Sequence, residues 1–132
     1  MMTGKLQNIL GLAALGLTLL SYTVPTWAGT ACKPEVSIQR FSTRTDVVGS
    51  MAGARYSTDS TQYIGCSINA APFVVCEARN RAGQFASCIS YNASHIGAIQ
   101  GMTDSSAIRF VVNNGSTDCT YIVIYGESCY LP

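Results

Sequence analysis

The residues most able to do chemistry in this chain are six cysteines: Cys32, Cys66, Cys76, Cys88, Cys119 and Cys129. No CxxC occurs, and there is one histidine. Structural zinc sites draw on closely spaced ligand pairs, so this spacing argues against a metal. An even cysteine count behind an export signal reads instead as a disulfide framework. Bridged cysteines are not nucleophiles, which removes thiol chemistry from the expected repertoire.

The remaining chemistry candidates are few. His95 is the sole histidine, so any Ser-His-Asp or Cys-His mechanism must use it. No GxSxG elbow appears; Gly49-Ser50-Met51-Ala52-Gly53 sets its serine at the wrong place. Asn92 and Ser94 beside His95 suit a helix start, and the histidine is expected at the surface or in a cap. Asp46, Asp59, Asp104 and Asp118 lie among serines and threonines, where carboxylates commonly bond turn backbone. A paired-carboxylate glycosidase site has no fixed separation here. The loop 113–118 lacks the spacing of an EF-hand calcium site. No catalytic residue, metal or cofactor is assigned.

Tyrosines carry the strongest binding signal. Tyr56, Tyr63, Tyr91, Tyr121, Tyr125 and Tyr130 follow the export signal. Tyrosine supplies amphipathic contact area at low entropy cost, which suits protein or sugar surfaces; the competing expectation is that these rings fill the edges of a small core.

Several elements must position these groups. Residues 65–88 hold three cysteines, each in a short apolar run with turn residues between, and read as an antiparallel meander. Strands are expected over 62–68, 73–79 and 84–90, with Ile64, Cys66 and Ile68 on one face and Phe73, Val75, Glu77 and Arg79 on the opposite face of the middle strand. Asn80-Arg81-Ala82-Gly83 suits a type I turn closed by a left-handed glycine. Cys66, Cys76 and Cys88 then stand at one height on neighbouring strands. Three cysteines cannot all pair among themselves, so at least one reaches another layer; Cys32 is the expected partner of one, and Cys119 of Cys129.

Upstream, residues 35–41 alternate as a first strand, and 46–56 read as a short strand and a loop because Gly49 and Gly53 interrupt regular structure. One short helix is expected near residues 94–102, capped by Ser94, with Ile96, Ile99 and Met102 inward. The clearest hairpin joins 107–112 to 119–125. Pairing Val112 with Cys119 pairs Phe110 with Tyr121 and Ile108 with Val123, and leaves Arg109, Val111, Thr120, Ile122 and Ile124 opposite. A strand apolar on both faces is central or part of a binding surface. The binding candidates are therefore Tyr121, Tyr125, Arg109 and Ile122.

Lys5, the apolar run 9–20 and Thr26-Trp27-Ala28 match an export signal cut before Gly29. The run is shorter than the roughly 20 residues that span a bilayer. Residues 1–28 are thus expected to be removed, leaving 29–132 as a single disulfide-bonded β domain, secreted or periplasmic. Lys5 leaves with the signal, and acidic and basic residues then balance. Nucleic acid and anionic membranes are poor partners for such a surface. The pattern Tyr63-Ile64-Gly65-Cys66, Cys76-Glu77-Ala78-Arg79-Asn80, Ser87-Cys88, Cys119 and Tyr130 resembles small exported bacterial cysteine-containing proteins. That resemblance covers the last two-thirds of the chain and implies no catalytic residue.

The expected fold class is all-β or mostly β: a small disulfide-stapled antiparallel sandwich or open barrel of six to eight strands with one short helix. The expected function is an exported, non-enzymatic binding or interaction module whose partner is an extracellular or envelope protein or polysaccharide. The alternatives are a small secreted hydrolase using His95 or turn carboxylates, and a loop-presenting enzyme inhibitor or toxin.

Overall fold

The computed structural model describes residues 31–130, so the expected signal, residues 1–28, lies outside the described residues. Seven strands form two antiparallel sheets. β1 (Ser37–Arg40), β2 (Arg44–Ser50), β6 (Ala107–Asn113) and β7 (Cys119–Tyr125) make sheet A in the order β1-β2-β6-β7. β3 (Tyr63–Asn69), β4 (Phe73–Arg79) and β5 (Phe85–Ser90) make sheet B as a meander. The structure is mostly β and stapled by three disulfides, as the sequence reading expects.

Alternation dictates the core. In sheet B, Ile64, Val74, Cys76, Ala78, Ala86 and Cys88 point inward; in sheet A, Ile38, Val47, Ile108, Phe110, Val112 and Ile122 do so, and all join one cluster. The sheets meet at one corner. There Ile89 N donates to Thr117 O at 2.8 Å, Ile89 bridges Asp118 in parallel, and Cys88 of β5 is bonded to Cys119 at the start of β7. The residues leading into sheet A's last strand thus touch the edge of sheet B, while the two antiparallel sheets remain distinct.

The cysteine pairing corrects two expectations. Cys66, Cys76 and Cys88 do stand opposite one another across the meander. Cys66 joins Cys76, its direct neighbour, and Cys88 crosses to Cys119. Cys32 and Cys129 therefore pair with each other, and Cys32 N donates to Cys129 O at 2.6 Å. No cysteine among the described residues is free.

Residues 46–56 are more regular than their glycines suggest. β2 runs unbroken and is central, and α1 (Met51–Arg55) follows at once. Ser50 caps this helical turn, its Oγ accepting from Gly53 N at 2.8 Å. Both glycines answer crowding. A Cβ on Gly49 would lie 3.1 Å from Val36 Cα, and one on Gly53 would lie 2.5 Å from Pro34 O. The N-terminal segment crosses β2 and α1 so closely that a side chain at Gly49 would crowd Val36 and one at Gly53 would collide with backbone.

α2 (Ala93–Gln100) is the expected helix, with a different cap: Asn92 Oδ1 accepts from Ser94 N at 2.8 Å, so Asn92 and not Ser94 does the capping. Ile99 is its buried residue.

The β6–β7 register carries the correction that matters most for a site. Val112 does pair with Cys119, but a bulge between Val111 and Val112 leaves Thr120 extra. Its Oγ1 donates to Val111 O at 3.1 Å and satisfies the carbonyl the bulge exposes. Beyond it, Phe110 pairs with Ile122 and Ile108 with Ile124, in place of Tyr121 and Val123. One inserted residue reverses every side chain downstream, and so gives sheet A an apolar inner face and a polar, aromatic outer one.

Candidate functional site

The reversed register splits the four binding candidates. Ile122 is 6% exposed and belongs to the core, so it is withdrawn as a contact residue. Tyr121, Arg109 and Tyr125 share the outer face of sheet A, where Tyr121 is 49% exposed. Asp46 is also here, in mid-strand rather than in the turn expected for it. Arg109 Nε donates to Asp46 Oδ1 at 2.9 Å and Nη2 reaches Oδ2, a bidentate pair. The guanidinium carbon lies 6.0 Å from the Tyr121 ring centroid. Asp46's hydrogen bonds and charge, with a smaller part from Tyr125, raise the Arg109 pKa above its ordinary value. A shallow depression of about 280 Å³ opens between Gln39, Asp46, Val48, Arg109 and Tyr125. Its charges are already matched to each other.

Sheet B's outer face is arranged otherwise. Register places Tyr63, Arg79 and Phe85 in one row across β3, β4 and β5. The Arg79 guanidinium carbon lies 6.0 Å from the Tyr63 centroid and 5.9 Å from that of Phe85, and both rings stay 40% exposed. The next row is Gly65, Glu77 and Ser87. Glu77 is exposed, and no ion pair among the described residues engages its carboxylate. Nothing lies within 4 Å of where a Gly65 Cβ would stand, so a trough opens between β3 and Glu77 beside the aromatic row. A depression of about 240 Å³ is lined there by Tyr63, Gly65, Ser67, Val75 and Glu77. At the far end Phe73 and Tyr91 pack as a tilted pair, their centroids 5.5 Å apart.

The sequence reading placed Phe73, Val75, Glu77 and Arg79 on one face of β4 without assigning them a role. The available signal was the meander itself: short loops fix the register, and register sets Tyr63 and Phe85 on either side of Arg79. The tyrosines as a set do not fill the core. Tyr56, Tyr63, Tyr91 and Tyr121 are exposed, and Tyr125 and Tyr130 are half-buried.

His95 does find a serine. Its Nδ1 is 2.7 Å from Ser90 Oγ, which also accepts from Asn92 N at 3.2 Å. Ser90 is 5% exposed, on the inner face at the end of β5, so its hydroxyl is turned away from any substrate in solvent. The contact clasps the start of α2 to the sheet. Among the turn carboxylates, Asp59 accepts from Thr61 N and Gln62 N at 2.9 Å, from Gln62 Nε2 at 2.7 Å and from Arg81 Nε at 3.3 Å. The Gln62 amide above all, with the backbone bonds and Arg81, holds its carboxyl well below the usual carboxylate range. Gln62 Oε1 in turn accepts from Val36 N at 2.8 Å, and Arg81 pairs with Glu35. This network straps the N-terminal leader to sheet B. Asp104 is exposed in a turn, and Asp118 is exposed at its bridge to Ile89. Among the described residues, no cluster of three or more His, Cys, Asp or Glu is placed to hold a metal, and no helix is long and apolar enough to cross a membrane.

Fold and surface together define a small disulfide-stapled antiparallel β domain with one open aromatic face. Comparison with protein-family models, curated proteins and solved structures finds no match, so function must be argued from the chain's own geometry.

Proposed function

We propose that the protein is a non-enzymatic binding module acting outside the cytoplasm, secreted or periplasmic, and that the outer face of sheet B is its contact surface. The observation that carries the reading is the row Tyr63–Arg79–Phe85 beside an unpaired Glu77. Exposed rings on a rigid, cross-linked sheet lose little entropy on contact, which favours binding. Disulfides persist in oxidising compartments, which supports export, as does the signal-like N-terminus.

The test is capture. The oxidised protein is immobilised and the host's envelope and culture-medium extracts are passed over it, with a reduced, unfolded copy as control. A component held by the folded protein and lost with the Tyr63→Ala/Phe85→Ala variant supports the reading. Retention indifferent to both rings, or equal on the reduced copy, counts against it.

A hydrolase built on Ser90 and His95 is the second reading, favoured by their 2.7 Å contact and opposed by the burial of the serine. Hydrolytic activity of the purified protein that disappears in His95→Ala, with the melting temperature preserved, would establish it.

A further inference from the structure

We propose that the trough on sheet B binds a neutral glycan chain, laid across the strands with its sugar rings against Tyr63 and Phe85. The proposal rests on the binding-module reading and names its ligand class. Three features select that class.

The first is size. Sheet B has three strands of six or seven residues. At about 4.8 Å between strands and about 3.4 Å per residue, its outer face covers roughly 300 Å². A stable protein partner needs roughly 800 Å² on each side. The face alone falls short of one side of a standard protein interface and is adequate for one or two sugar rings. The trough itself lies over β3 and β4, and the aromatic row beside it crosses the three strands, a run of about 10 Å between the outer two.

The second is charge. Glu77 accepts hydrogen bonds and cannot donate when ionised; Arg79 donates and cannot accept. Neither takes part in an ion pair among the described residues. Side by side on one strand face, they ask for a ligand that both donates and accepts and carries no net charge. Hydroxyl groups do both. A polyanion would meet Glu77, and a polycation would meet Arg79.

The third is shape. Tyr63 and Phe85 stand about 40% exposed on the two outer strands, flanking Arg79 at the trough's rim. A pyranose has an apolar C–H face that packs on an aromatic ring while its hydroxyl edge stays polar. Gly65 removes the side chain that would otherwise fill the trough on β3.

The experiment is affinity electrophoresis of the full oxidised protein through native gels containing hydroxyethyl cellulose, dextran, galactomannan or alginate. At least one neutral polysaccharide retards the protein, and alginate does so at least 10-fold more weakly. Phe85→Ala and Glu77→Gln each weaken the retardation at least 10-fold. Gly65→Val, which fills the trough where no atom opposes it, abolishes it. Tyr121→Ala, on the other sheet, leaves it within 2-fold. Thermal melts of each variant confirm that it is folded. If no neutral polysaccharide is retained, or if retention survives Phe85→Ala and Gly65→Val, the glycan proposal is overturned. A protein captured from host extract through Tyr63 and Phe85, with no polysaccharide bound, would overturn the ligand class and leave the binding module standing. Absence of both kinds of partner would remove the two together.

Discussion

The outer faces of the two sheets are built from the same parts and dispose of charge in opposite ways. Each carries an arginine near an exposed tyrosine and an acidic residue on the same face. On sheet A the acid is Asp46, on the strand beside Arg109, and the two close into a bidentate pair over a depression lined by Tyr125. On sheet B the acid is Glu77, two residues from Arg79 on the same strand. Arg79 lies instead between two rings, and Glu77 is left to solvent. A cross-strand ion pair satisfies a face from within. Acid and base on one strand, with aromatics as the cross-strand neighbours, leave hydrogen-bonding capacity for a ligand. The presence of charged and aromatic residues does not distinguish the faces; their register does.

Of the two disulfides that hold sheet B, the one that ties it to sheet A should matter more. The Cys88–Cys119 bond joins β5 to β7 across 31 residues of chain, whereas Cys66–Cys76 joins adjacent strands of sheet B across 10. In the chain-entropy account, Cys88→Ala/Cys119→Ala should cost about 3–4 kcal/mol, and Cys66→Ala/Cys76→Ala somewhat less. Denaturant unfolding of the two double variants checks the order. If the sheet B pair proves the more costly, the meander depends on its own staple and is not the rigid platform described.

Glycines sharpen the same contrast. Gly53→Ala pushes a methyl against backbone oxygens of the leader, at 2.5 Å from Pro34 O and 2.9 Å from Lys33 O. Overpacking of this kind should cost about 1–3 kcal/mol. Gly65→Ala meets no atom within 4 Å and should be neutral or stabilise by about 0.5–1 kcal/mol, since alanine is the better residue in a strand interior. Thermal melts resolve both, at about 4–8 °C per kcal/mol for a domain of this size. A destabilised Gly65→Ala would mean that the trough is not open.

Gly49 and Gly53 also mark where sequence stopped being legible. β3, β4, the Gly83 turn and the common height of three cysteines follow from alternation and turn chemistry, which are local. Gly49 and Gly53 read as breakers because the leader that crowds them is distant in sequence, and local propensity carries no trace of it. The bulge at Thr120 is a subtler case. The stretch 119–125 is apolar at nearly every position, so either register buries a plausible set, and only packing against Phe110 and Ile108 decides. That decision moved Ile122 into the core and left Tyr121 and Tyr125 outside. On sheet B the alternation was already visible, but a functional reading needed the cross-strand neighbours of Arg79 as well.

Acid should act through the strap that joins the N-terminal leader to sheet B. Asp59's carboxyl is held below its ordinary value of 3.8, chiefly by the Gln62 amide. A group whose pKa is lower folded than unfolded contributes stability that is full above the unfolded value and is lost progressively as pH falls from there through the folded value. The wild-type melting temperature should therefore decline below about pH 4. Asp59→Asn should start lower at neutral pH and decline less on acidification. Parallel acid profiles for the two proteins would remove Asp59 from the strap.

The smallest effects test the comparison most directly, because they isolate charge from packing. Asp46→Asn keeps the shape of sheet A's pair and removes its charge. Asp46 is mostly buried, but the Arg109 side chain is 38% exposed, so water screens the pair and the loss should be about 1 kcal/mol. Glu77→Gln removes a charge that nothing in the fold uses, and should shift stability by less than about 0.5 kcal/mol, the usual range for a surface substitution. The two variants should respond to salt differently as well. Raising ionic strength narrows the gap between wild type and Asp46→Asn, while Glu77→Gln and wild type melt together throughout. Equal losses at both positions would show that Glu77 has a partner within the fold, and sheet B's face would then be as self-satisfied as sheet A's. A carboxylate with no role in stability, set one row from two exposed rings and beside an empty glycine position, is one whose contribution must be sought outside the chain.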